Sequence, residues 1–248
     1  MLIKKNPYTW AGLGLLITGG LVALFAHFIL GLTWLAALGL CMVILGAILL
    51  ALGRAIPKLP PEVCGLFLDA GVDNMATIVE ELGIKARAVY LPSSLTNGSP
   101  KALIPLHANP ALPPLTRALP QRFIARYGSR PDDIGLLFST IGSRAVALLE
   151  ARPDPTPEAL EAALTALLAG TLDAADGTTV TSLENHLIKV EIANPRVGDS
   201  VTRCQECLGG PLASIVASVT AEAWDKPVTI AREEHSGGRY SIELEVTE

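Results

Sequence analysis

The sequence predicts an α+β fold in which an N-terminal two-helix transmembrane hairpin is followed by a cytoplasmic α+β body of helix-hairpin units. Three observations predict it. Residues 6 to 53 form a run of 48 without Asp, Glu, Lys or Arg, whereas one crossing of about 30 Å of hydrocarbon takes roughly 20 apolar residues. All 24 acids lie beyond residue 60; removing Lys4, Lys5, Arg54 and Lys58 from the 19 bases leaves 15 against 24, a formal −9. Beyond that point, segments of helical periodicity alternate with paired strand-like segments around turn residues. Only 17% of the chain is charged and its mean hydropathy is +0.43, against about 25% charged residues in an ordinary soluble domain. So acidic a body argues against nucleic acid as a partner, because that binding neutralises phosphates with clustered Lys and Arg.

The apolar run divides into spans at Tyr8 to Leu30 and Thr33 to Gly53, turning at Gly31. A cleavable signal peptide is the rival reading, but its apolar core is roughly 7 to 15 residues long and this run continues into a second span. Bases precede the first span and follow the second, so the positive-inside rule puts both termini in the cytoplasm of a multi-pass membrane protein. Tyr8, Trp10 and Trp34 suit interfacial anchors. Gly39, Gly46 and Gly53 recur every seven residues and line a groove where the first helix can pack, or where a second copy can. His27 is the ionisable residue of the first span, a functional candidate by its rarity there, though its place near the outer end lets it reach water.

Pro57, Pro60 and Pro61 break the second span, and the rest divides into a small helix-hairpin unit at 62–108 and a domain at 121–248, separated by a proline-rich linker or strap at 109–120. In the first, Val72, Met75, Ile78, Val79 and Leu82 have helical spacing with Gly83 at the C-cap. Ala86 to Leu91 and Ala102 to Leu106 read as strands. In the second, Gln121 to Tyr127 is followed by a helix from Asp132 to Glu150 capped by Asp132-Asp133. Thr156 caps a helix running to Leu172, with Pro157 at its first position. Thr178 to Ala193 alternates as a hairpin turning at Glu184-Asn185-His186. Leu208 to Trp224 suits a buried helix. Val228 to Glu233 and Tyr240 to Val246 form a last hairpin, with Tyr240, Ile242, Leu244 and Val246 on one face. Helix followed by hairpin thus occurs twice, at 62–108 and 204–246, as a common supersecondary unit or a degenerate repeat.

From about residue 130 to 248 the order of elements resembles the superfamily of TRAPP core subunits and 4-vinyl-reductase domains. The matching pieces are Ile141-Gly142-Ser143-Arg144, Thr156 to Leu172, the strand Leu187 to Pro195 ending in Asn-Pro, Cys204 to Glu222, and Pro227 to Ile230 with Tyr240 to Val246. The resemblance implies a pocket between helices and sheet for an apolar or acyl ligand, and a habit of forming a homodimer or docking a partner protein. Arg152 to Thr156 lacks the acyl-accepting cysteine of some TRAPP subunits, and Ala231 to Tyr240 lacks the further cysteines of many vinyl-reductase domains. In that superfamily the small-residue helix borders the pocket, which makes Gly209, Gly210, Ala213 and Ala217 the candidate ligand or partner contacts. Ala213 and Ala217 are four apart and share a face, so a larger side chain at either is expected to be costly, and Glu222→Gln at the polar end to be mild.

Cys204-Gln205-Glu206-Cys207 is the most suggestive short motif. At a helix N-terminus such a pair gains thiolate character, which suits redox exchange or metal binding; structural or incidental cysteines are the bland alternative. Zinc takes four ligands, and Cys64, Cys204 and Cys207 with a histidine are the candidates, without a second paired spacing. No cofactor is predicted otherwise. No Walker A, dinucleotide loop, HExxH or GxSxG sequence occurs, and Glu233-Glu234-His235 reads as a solvated turn. The composite expectation is a membrane-anchored binding or scaffold module, with a membrane-tethered thiol or metal enzyme centred on the CxxC as the alternative.

Overall fold

The computed structural model describes residues 7–55, 61–107, 113, 115, 117–183, 187–197 and 203–247. The chain divides into two compact units, residues 1–70 and 71–248. In the first, α1 (Pro7–Phe25) loosens into a π-helical turn over Ala26–Leu30, and Gly31 turns the chain at φ +65° into α2 (Thr33–Ala55). Only glycine adopts that left-handed conformation without strain. The helices lie antiparallel because their glycines meet. A Cβ on Gly12 would sit 2.8 Å from the Gly46 carbonyl oxygen, and one on Gly39 would sit 2.6 Å from the Ala23 nitrogen. Gly39 and Gly46 thus serve the groove expected of them, inside the hairpin. The helices expose Leu13, Ile17, Leu21, Leu24, Leu38, Ile44, Ile48 and Leu52 outward. Both stretches, Tyr8–Leu30 and Thr33–Arg54, are long and apolar enough to cross a membrane.

The helix expected at 72–82 is longer, α3 (Pro61–Glu81). Pro61 is tolerated because a first-turn N–H has no intrahelical acceptor. Its end is the expected one: Gly83 sits at φ +61°, with Gly83 N donating to Glu80 O at 2.9 Å and Ile84 N to Val79 O at 3.1 Å. These are the paired bonds of a Schellman cap.

One eight-stranded antiparallel sheet forms the second unit. Its strands are β1 (Val89–Leu91), β2 (Lys101–Pro105), β3 (Ile124–Arg126), β4 (Ile134–Phe138), β5 (Gly177–Ser182), β6 (Leu187–Ala193), β7 (Val228–Ser236) and β8 (Arg239–Val246), in the order β3-β4-β2-β1-β7-β8-β6-β5. The seam between the halves pairs Val89 with Thr229 and Tyr90 with Val228. The hairpin of the 62–108 segment therefore lies in the middle of the same sheet as the 121–248 segment and shares its core. One face carries α4 (Ile141–Val146), α5 (Pro157–Thr165), α6 (Arg203–Leu208) and α7 (Pro211–Trp224). Their core includes Ile104, Leu136, Leu160, Leu164, Val216, Ile242 and Leu244, with Val79 of α3. On the opposite face, Val89, Leu91, Leu103 and Leu137 pack with Leu119 and Leu115 of the proline-rich stretch. Leu119 N donates to Leu95 O at 2.8 Å, so the described part of that stretch is a strap over the sheet.

That second cover explains the misreading at 132–150. Ile134-Gly135-Leu136-Leu137-Phe138 is a strand buried on both faces, so it lacks alternation, and a short apolar run of this kind cannot be told from helix by period alone. Only α4 is helical there, capped reciprocally: Ser143 N donates to Thr140 Oγ1 at 3.3 Å and Thr140 N to Ser143 Oγ at 3.0 Å. Asp133 caps no helix; its buried carboxylate accepts from Arg130 N at 2.9 Å and closes the turn before β4. From Thr156 the expected order holds. Thr156 Oγ1 accepts from Ala159 N at 3.2 Å, and α5 relaxes into a π turn that ends at Thr171. β5 and β6 pair as a hairpin, whose turn at 184–186 lies outside the described residues. Tyr240, Ile242, Leu244 and Val246 are all buried.

Candidate functional site

The side chains that converge in the second unit do so around α6 and the glycine pair after it. Gly209 takes φ +74°, and its N–H donates to Gln205 O at 2.7 Å, which ends α6 and lets α7 start at Pro211. A Cβ on Gly209 would lie 2.6 Å from Ile230 Cδ1 and 2.7 Å from Glu233 Oε1, and one on Gly210 would lie 2.7 Å from the Tyr240 hydroxyl. Side-chain ends of β7 and β8 thus reach both glycines, and the positive φ of Gly209 favours glycine there. Glu233, on β7, accepts from Gly210 N at 3.1 Å and from the Tyr240 hydroxyl. A carboxylate at the start of the 14-residue α7 also meets the positive end of its dipole.

The other wall comes from the segment before β1. Arg87 donates to Ile230 O at 2.9 Å and to Ala231 O. Ala88 N donates to Cys207 O at 2.7 Å, and the Tyr90 hydroxyl donates to Leu208 O. Two clefts flank α6 as a result. One, of about 250 Å³, lies among Arg87, Ala88, Gln205, Gly209, Ile230 and Glu233. The other, of about 400 Å³, lies among Val79, Gly83, Ile84 and Lys85. Glu206 and Cys207 border both. Each mixes apolar walls with a few charged groups.

Of the residues singled out in the sequence, Gly209 lines the first cleft and Gly210 is buried beside it. Ala213 and Ala217 are fully buried, at 0% exposure, and hold α7 in the core. Cys207 is buried with its sulfur 3.9 Å from Ile84 O; burial pushes its thiol pKa up, and the Glu206 carboxylate adds to that. The thiolate that redox exchange or metal ligation needs is disfavoured there. The side chains of Cys64 and Cys204 lie outside the described residues. Among the described residues no three His, Cys, Asp or Glu side chains gather as a metal site. His27 is exposed in the π turn, edge-on to Phe28.

Sequence reasoning missed Arg87, Tyr90 and the role of Glu233, which was read as part of a solvated turn. An Arg before a strand carries no signal of its own, since its partners are backbone carbonyls 143 and 144 residues away. Glu222, expected to be mild, is buried and accepts from Ser93 N at 2.9 Å and Ser93 Oγ at 2.5 Å. Glycine contact also brings α4 onto α7. A Cβ on Gly142 would overlap Ser214 O and Ser218 Oγ.

Fold and clefts together define a class: an α+β chain with two apolar N-terminal helices and, among the described residues, one antiparallel sheet roofed on one face by helices. More particularly, the chain belongs to the family described as Domain of unknown function (DUF7982), whose model matches residues 3–246. No curated protein and no solved structure matches it.

Proposed function

We propose that this protein is a membrane-anchored binding module. Two helices cross the bilayer with both termini in the cytoplasm, and the body takes a small, largely apolar ligand with a polar end at the clefts beside α6. The observation that carries the reading is the hairpin: glycine contacts consume its inner faces, and its outward leucines and isoleucines are exposed among the described residues. Contiguous apolar surface of that extent is abnormal for a soluble monomer and ordinary against lipid. The bases flanking the spans support the orientation. The closed glycine pair, Glu233 held by Gly210 and Tyr240, and the apolar Ala88 and Ile230 support the cleft as a shaped site. The likeness of residues 130–248 to the TRAPP and vinyl-reductase superfamily belongs to this proposal and rests on the order of elements.

Two measurements test it. An alkaline-phosphatase fusion at Glu248 is expected to be inactive; activity outside the cell would end the orientation. Native mass spectrometry of the full chain, extracted gently from membranes, is expected to show a bound small molecule that Gly209→Leu abolishes. A ligand-free wild-type chain, or equal occupancy in both, would refute the binding reading.

A further inference from the structure

Helix α3 has two apolar sections with different fates. Toward its C-terminus, Val79 is buried in the core of the second unit, with Met75 and Ile78 packed against that core. Toward its N-terminus, Leu66, Phe67 and Leu68 are 69%, 72% and 69% exposed. No charged residue lies between Glu62 and Asp69, so this section is apolar without interruption, and acids bound it at both ends. Successive helical residues turn by about 100°, and Leu66 to Leu68 therefore face outward over about 200° of the circumference. A helix packed against one partner hides a single stripe. Lipid can cover so wide an arc without matching side chains.

The place of this section in the chain puts lipid within reach. Five residues, 56–60, separate it from α2, and five residues reach at most about 18 Å. α3 thus begins within reach of the membrane face at which α2 ends. We propose that the first two turns of α3, Val63 to Leu68, are a lipid-binding segment that enters the cytoplasmic interface of the bilayer, with Asp69 left among headgroups and water. The segment carries no base, so its ligand is the acyl region of neutral lipid rather than an anionic headgroup. Interfacial helices bind in this way, by apolar area sunk into the headgroup and acyl boundary.

The inference rests on the hairpin being in the membrane, and the test separates the two. The full chain is reconstituted in phosphatidylcholine vesicles with or without bromine on the acyl chains. One variant keeps Trp10 alone, by Trp34→Phe and Trp224→Phe, and reports the spans. Three further variants lack all three native tryptophans and carry Leu66→Trp, Phe67→Trp or Leu68→Trp, so that failure of one to fold leaves the others. Brominated lipid is expected to quench all three introduced tryptophans to a degree comparable with Trp10. Quenching of Trp10 with none at positions 66 to 68 overturns the inference and leaves the hairpin standing. Emission at those positions that shifts with protein density but is not quenched assigns the section to a second copy of the chain and also overturns it. An unquenched Trp10 removes both.

Discussion

Gly142→Ala puts the packing of the helical layer to a sharp test. The added methyl would overlap the Ser214 carbonyl oxygen and the Ser218 hydroxyl and lie 2.8 Å from the Ser214 carbonyl carbon. Two of these are backbone atoms in the first turn of α7, whose residues 212 to 223 are all buried, so α7 has no room to withdraw. The six-residue α4 must lift instead, opening a gap along Ala145, which is buried against the core. Overpacking costs roughly 1 to 3 kcal/mol, and a contact with backbone belongs at the upper end. At about 2–4 °C per kcal/mol for a unit of this size, a loss near 3 kcal/mol lowers the melting temperature by about 6–12 °C. The assay is thermal unfolding of the detergent-solubilised chain followed by near-ultraviolet circular dichroism. Gly71→Ala in α3 is the control, because nothing lies within 4 Å of its added Cβ and alanine there favours the helix by about 0.5–1 kcal/mol. A melting temperature for Gly142→Ala equal to that of the wild type would refute the α4–α7 contact.

Four further outcomes are expected. Ser218→Ala removes a buried hydroxyl that has no hydrogen-bond partner among the described residues and should leave the melting temperature unchanged or slightly raised; a fall of several degrees would mean that the hydroxyl is satisfied. Glu222→Gln turns an amide toward the Ser93 N–H or hydroxyl and should cost about 1–3 kcal/mol in denaturant unfolding, with no change counting against the contact. Gly39→Leu should disrupt the helical hairpin, read as loss of protease-resistant membrane fragment, while Gly20→Leu, with open space around it, should be tolerated; equal behaviour would break the glycine-contact argument. Cys207 has its thiol pKa pushed up by burial and then by Glu206, so less thiolate is present at mildly alkaline pH. Its alkylation by iodoacetamide should be far slower in the native chain than in urea, and Glu206→Gln should speed it; equal native and unfolded rates would show that the sulfur is accessible.

Much of the local structure was legible because its causes are local. The two apolar helices follow from 48 uncharged residues, the turn between them from a glycine, and the start of α5 from Thr156 and Pro157, each an interaction within a few residues. The last hairpin was legible because β8 is wet on one face, which leaves the alternation of Tyr240, Ile242, Leu244 and Val246 intact. β4 was not legible, because the strap and the helices cover both its faces and erase the period that distinguishes strand from helix. The same holds for the unity of the body: β1 meets β7 across about 140 residues, and nothing within residues 62–108 records that partner. For the clefts, the sequence determined the glycine pair and the cysteine motif, whereas the tertiary structure decided that Arg87, Tyr90, Glu233 and Tyr240 gather round them. Arg87, Tyr90 and Glu233 are held by backbone groups remote in the chain, with Tyr240 bonded in turn to Glu233, and a bond to a remote backbone group leaves no pattern in the order of residue types.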